Sequence, residues 1–188
     1  MTTVAEIEKA ALEVIAERGF EETPVEDIAA AAGISRRTFF RYFASKNDIP
    51  FGDFGALLEG LEQWLSSAPT DRPIFDVIAE AVMRFNRVHS DGSVAHRARM
   101  ELIMHTPSLR AHAALRQDEW VGVLARYASR RLGAPEGALG PRLVAHLALG
   151  ASNAAYQRWL DDERTDLGKL MAEAFAALED LSLLEDLR

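Results

Sequence analysis

The chain has 188 residues, 48% hydrophobic and 27% charged, with a formal net charge of −8. That length suits one compact unit or two small ones with a real core, and the composition excludes wholesale disorder. There is no cysteine, which excludes disulfide scaffolds, thiol nucleophiles and thiolate zinc sites.

Apolar residues recur at three and four throughout, with no clean two-residue alternation, so the chain reads as all-α with about nine helices. The first helix covers roughly Thr3 to Arg18, with Ile7, Ala11, Val14 and Ile15 on one face and Gly19 as its stop. The second starts at Thr23-Pro24-Val25-Glu26, which reads as a capping box with proline in the first turn, and stops at Gly33. Ser35 caps a third helix, Arg36 to Phe43. Pro50 would clash with the carbonyl of Lys46 in a helix begun after Ser45. A separate turn over Lys46 to Asp48, with Asp48 recapping a helix to about Ser66, is the favoured reading; a kinked helix is the other. Helix five runs from about Pro73 to His89, and Asp91-Gly92-Ser93 separates it from a sixth reaching Met104. Thr106-Pro107 starts a long seventh helix ending near Leu132. The eighth spans about Pro141 to Asp161 and the ninth about Asp166 to Leu184.

The N-terminal residues Met1 to Glu6 show neither a basic start nor an apolar run. The least polar stretch, Leu143 to Tyr156, is too short to span a bilayer and holds His146, Ser152 and Asn153. The expectation is a cytoplasmic protein with no membrane partner. A net charge of −8 argues against a nucleic-acid partner until its distribution is read. Residues 1–50 carry six Lys/Arg against nine Asp/Glu, yet between Ile28 and Asn47 there are four basic residues and no acid.

That island lies on a helix-turn-helix pattern. The second helix of such a pair enters the major groove with its first residues on base edges. Gly33 supplies the turn, while Ile28, Ala32, Ile34, Phe39 and Phe43 can form the wedge between the helices. Arg36, Arg37, Arg41 and Tyr42 are then free to face outward, and an arginine there can bond guanine O6 and N7. Lys46 and the next helix start suit a phosphate.

The run Gly19-Phe20, Thr23 to Ala29 and Ala32 to Lys46 resembles the N-terminal DNA-binding domain of TetR-family repressors. Arg36 to Phe54, including Asn47-Asp48-Ile49-Pro50, resembles the subgroup of regulators associated with mycofactocin gene clusters. The resemblance implies a helix-turn-helix domain over 1–48 and an effector-binding and dimerisation domain over 49–188. It implies a homodimeric repressor on near-palindromic double-stranded operator DNA, released by a small apolar or amphipathic effector. Arg36, Arg37, Thr38, Phe40, Arg41 and Tyr42 fall on the DNA-facing helix, and Lys46 on the phosphate position. Phe40 stands where many members have tyrosine, so one hydroxyl-to-phosphate bond is missing.

Helix eight presents Leu143, Leu147, Gly150, Ala151, Ala154 and Arg158 near one face, and helix nine Leu167, Leu170, Met171, Ala174, Leu178 and Leu181. These could pair as a four-helix bundle between protomers, or bury inside one monomer. Trp64, Phe85, Met100, Met104, Trp120 and Tyr156 could line an effector cavity with His89 and Asn153, or be ordinary core. Asn86 and His105 need partners if buried. Arg84, Arg87, Arg97 and Arg99 could attract an anionic head group such as a coenzyme A thioester, or be solvated helix faces. His89, His96, His105 and His112 lack metal-ligand spacing; no phosphate loop or nucleophile elbow is present. The expectation is no metal, no cofactor and no enzyme. The rival reading is a helical small-molecule carrier or enzyme without DNA binding.

Overall fold

The computed structural model describes residues 2–88 and 93–179, and within them every regular element is helical. The order is α1 Val4–Arg18, α2 Val25–Ala31, α3 Arg36–Tyr42, a 3-10 turn Lys46–Phe51, α4 Phe54–Ser66, α5 Ile74–Val88, α6 Ser93–His105, α7 Pro107–Leu132, α8 Leu139–Asp161 and α9 Leu167–Glu179. The expected break at Asp91-Gly92, His89, Leu181 and the end of helix nine at Leu184 lie outside the described residues.

Local signals account for most ends. Thr3 caps α1 in a capping box with Glu6. Ser35 Oγ accepts from the Thr38 amide, capping α3. Gly33, at φ 65°, takes the left-handed turn between α2 and α3 that a side chain would resist. Two expectations fail. The Thr23–Glu26 capping box does not form. The N-cap is Pro24, without a side-chain bond, because Thr23 is fully buried and its hydroxyl donates back to the Gly19 carbonyl at 2.7 Å. Asp48 does not recap a helix either. Its carboxylate accepts from the Ser45 amide and hydroxyl, closing a 3-10 turn that contains Pro50. The chain then turns at Gly52, φ 57°, and α4 restarts at Phe54.

The chain divides into two compact units. The first holds residues 1–54 together with 94–115; the second holds 55–93 and 116–188. The boundary read from sequence at 48/49 falls inside the first unit, which also takes in α6 and the start of α7. The core of this unit gathers Ile7, Ala11 and Ile15 of α1, Ile28 of α2, Phe39 of α3, Ile49 of the 3-10 turn and Leu109 of α7. Phe39 stacks on Phe43 with ring centres 5.3 Å apart. Polar clasps surround that core. Arg99 of α6 meets Glu8 of α1 at 2.6 Å, both largely buried. His112 Nε2 of α7 lies 2.8 Å from Asp48 Oδ1. Ser108 donates to Glu21.

In the second unit α9 packs on α8 and α5. Val77, Ile78, Ala81 and Val82 of α5, Trp120, Leu124 and Ala128 of α7, Ala145, Ala148, Ala155 and Trp159 of α8, and Met171 and Phe175 of α9 are all buried. Arg126 grips Glu62 of α4 with two bonds, at 2.8 and 3.1 Å. Among the described residues no helix is long and apolar enough to cross a membrane.

Burial pushes the Glu8 carboxyl up, and the Arg99 charge works against that. Arg99→Leu is therefore expected to lower unfolding free energy by about 2–3 kcal/mol at neutral pH, since it strands a largely buried carboxylate. The loss should shrink at mildly acidic pH. Without Arg99 the folded-state pKa rises further above the unfolded value, so the loss falls as pH drops from the folded value to the unfolded one, below which Glu8 is neutral in both states. Thermal unfolding of both proteins across that range measures the effect; a pH-independent loss would argue against it.

Candidate nucleic-acid interface

The interface begins with what α3 buries. Phe39 is fully buried and Phe43 nearly so, which turns Arg36, Arg37, Phe40 and Arg41 outward as an exposed face. Thr38 and Tyr42 are half-buried at its margin. Each outward side chain has a definite setting. The Arg36 guanidinium lies over the Phe40 ring, 4.9 Å from its centre, and its Nε meets Glu26 Oε1 of α2 at 2.8 Å. Arg41 lies 5.1 Å from the centre of the Tyr42 ring. Thr38 Oγ1 is 2.9 Å from Ser35 Oγ. The Tyr42 hydroxyl donates to the Thr2 carbonyl at 2.8 Å, holding the N-terminal residues beside the end of α3. No side chain among the described residues pairs with Arg37, which is exposed.

Lys46 is set differently from its sequence expectation as a phosphate ligand alone. Its ammonium donates to the Phe20 and Thr23 carbonyls at 2.7 and 3.0 Å and sits 4.4 Å from the centre of the Phe20 ring. Two of its three protons thus tie the loop between α1 and α2 to the 3-10 turn. Sequence reasoning missed this role, and those of Glu26 and Asp48. Glu26 was read as a cap partner; released from that box, it reaches Arg36 instead.

The effector candidates are drawn from both compact units. Trp64, Phe85, Trp120, Asn153 and Tyr156 belong to the second unit; Met100 and Met104 belong to the first. His89 lies outside the described residues. Trp120 is buried, while Trp64 is half-buried under the Arg84 guanidinium. The polar groups find partners: Tyr156 donates to Asn86 Oδ1 at 2.9 Å, Gln117 reaches Asn153 Oδ1 at 3.5 Å, and His105 Nδ1 meets the Glu101 carbonyl. A groove of about 460 Å³ lies elsewhere in this unit, between α5 and α9, with Phe75, Met83 and Phe175 beside Arg72, Glu80 and Arg84. Arg72 and Arg84 both bond Glu80 and hold its carboxyl below the ordinary range.

A short basic helix whose buried face is anchored by Phe39, and whose exposed face carries three arginines after a glycine turn, is the docking geometry of a helix-turn-helix reader. Residues 7–49 match the family model described as bacterial regulatory proteins, tetR family, and residues 72–182 match the MftR C-terminal domain. The chain belongs to the TetR family of bacterial regulators. A Mycobacterium tuberculosis protein named as a mycofactocin biosynthesis transcriptional regulator, MftR, is 38% identical over 174 residues, covering 93% of this chain and 88% of that one. The transcriptional regulator TcmR of Streptomyces glaucescens is 29% identical over 91% of this chain and 79% of its own length. Among solved structures, Bacillus subtilis FadR in complex with stearoyl-CoA superposes with a TM-score of 0.65 at 21% identity, covering 94% of this chain and 97% of that one. This TetR-family chain is a DNA-binding transcriptional regulator, as the relatives named here are transcriptional regulators.

Lys46→Met is expected to lower unfolding free energy by about 1–3 kcal/mol, because two buried carbonyls lose a charged donor. Chemical denaturation measures it. An unchanged midpoint would show that the clasp contributes nothing.

Proposed function

We propose that the chain is a homodimeric repressor that leaves a near-palindromic operator when a small apolar or acyl-type effector binds. The observation that carries the DNA half is the outward arginine face of α3. Arg36 and Arg37 meet base edges, Thr38, Arg41 and Tyr42 meet the backbone or base edges beside them, and the remaining proton of Lys46 meets a phosphate. Phe40 lies on the same face and supports Arg36. Residues 1–48 carry this work and 49–188 the effector and dimer work, in the cytoplasm where the operator lies.

The dimer half rests on α8. Ala145, Ala148, Ala155 and Trp159 face the interior, while Leu139, Leu143 and Leu147 are 81%, 53% and 39% exposed. Gly150, Ala154 and Arg158 continue that exposed face at spacings of three and four. Leucines above small residues form a seam that lets a second helix approach closely. A dimer sets two α3 helices about 34 Å apart, one helical turn of DNA.

The effector half rests on the apolar interior of the second unit and on Asn86. Its Nδ2 is buried without an acceptor among the described residues, which suits a ligand carbonyl. The FadR structures that share this fold hold stearoyl-CoA and lauroyl-CoA, and an acyl thioester supplies such a carbonyl. Effector binding weakens operator binding by favouring the geometry that does not fit DNA.

Selection of bound duplexes from a random pool at two salt concentrations tests the DNA reading. A near-palindrome with half-sites about one turn apart is expected, and salt-sensitive binding with no sequence preference would leave only a basic patch. Leu143→Asp is expected to raise the monomer fraction in sedimentation and to lower operator affinity at least about tenfold, as a buried charge on a seam does. A variant that remains dimeric places the seam elsewhere.

A further inference from the structure

The exposed carboxylate of Glu26 lies against Arg36, on the face that the operator reading of α3 turns to DNA, where an acid would repel phosphate on every sequence. Its pair with Arg36 is about 60% exposed on both sides, and an exposed pair of this kind contributes little to folding. Asp27 already supplies an acid to the first turn of α2, so the helix end does not depend on Glu26. The ion pair nonetheless has a definite geometry, with Glu26 Oε1 2.8 Å from the Arg36 Nε. The other face of the same guanidinium is covered by Phe40, itself 41% exposed and seated edge-on against the buried Phe39.

We infer that Glu26 and Phe40 are positioning residues that hold Arg36 for guanine, and so determine specificity at one base pair of each half-site. The inference rests on the operator-binding reading of α3. The chemistry follows from the guanidinium fork. Glu26 pairs with the guanidinium on its Nε side, and the Phe40 ring fixes the plane by a cation–π contact. The two terminal nitrogens keep a parallel pair of N–H groups, the set that guanine O6 and N7 accept in the major groove. Adenine presents a donor where guanine presents O6, so a held fork rejects it, whereas a loose arginine swings to the nearest phosphate. The acid opposes binding on all sequences and restores binding only where the fork finds guanine, which widens the gap between specific and non-specific binding.

The test selects DNA from a random duplex pool with the parent, Arg36→Ala, Glu26→Gln, Phe40→Leu and Phe40→Tyr at one salt concentration, and measures affinity for a non-specific duplex. Arg36→Ala should abolish a guanine preference at one symmetric position. Glu26→Gln and Phe40→Leu should each relax that same position by about tenfold, the scale of one bidentate base contact. Other positions should be unchanged, and Phe40→Tyr, which keeps the ring, should retain the preference. Glu26→Gln should also tighten non-specific binding, which a merely structural role would not do. Retention of the guanine preference by Arg36→Ala, or by either Glu26→Gln or Phe40→Leu, overturns the brace and leaves the operator reading standing. Relaxation at all positions with a lowered unfolding temperature overturns it as well. A parent that selects no sequence overturns the operator reading and the brace together.

Discussion

Two helices of seven residues cannot persist alone in water, and both halves of the reading motif are that short. The DNA-binding surface therefore depends on the burial of Phe39. Its ring, with Ile28 beneath α2 and Ile7 and Ala11 beneath α1, supplies the apolar area that nucleation of so short a helix cannot. The two phenylalanines four apart, Phe39 and Phe43, give α3 a single inward direction. Once that direction is set, the arginines have no course but outward. The polar clasps at Glu8, Lys46 and Asp48 then fix the angles at which α1, the α1–α2 loop and the 3-10 turn meet this core.

Charge is arranged on the same logic. The chain as a whole carries −8, and its acids are spread over many helix faces. The stretch from Ile28 to Asn47 stays free of them, so α3 and its flanks form a local cationic segment in an anionic chain. A body of that charge discourages indiscriminate sticking to nucleic acid, and only the correct face presented to the groove gains from the encounter.

Much of the DNA-binding half was legible in the residues. Ser35, Gly33 and the Phe39/Phe43 pair act within three or four positions of one another, and such signals read directly from sequence. The failures share the opposite character. The Thr23 hydroxyl turned to Gly19 because the side chain is buried, a fact of packing. Asp48 served backwards to Ser45 and across to His112, 64 positions away along the chain. Lys46 found carbonyls 26 and 23 residues earlier. Spacing rules carry no information about partners brought together only by the fold. The effector residues were less legible still. Large apolar side chains on helices announce burial but not whether what they border is filled.

The composition of that first unit bears on how this regulator can be recombined. Leu109, Arg99 and His112 lie far along the chain from the reading motif, yet they complete its core and its clasps. A chimera joined at residue 48 would graft a foreign α6 and α7 onto Ile7, Glu8 and Asp48, leaving a gap and two stranded carboxylates. The compact unit that holds the reading motif is discontinuous in sequence, residues 1–54 with 94–115. In a chimera of this chain, a donor whose α6 and α7 carry groups matching Arg99, Leu109 and His112 would keep these contacts.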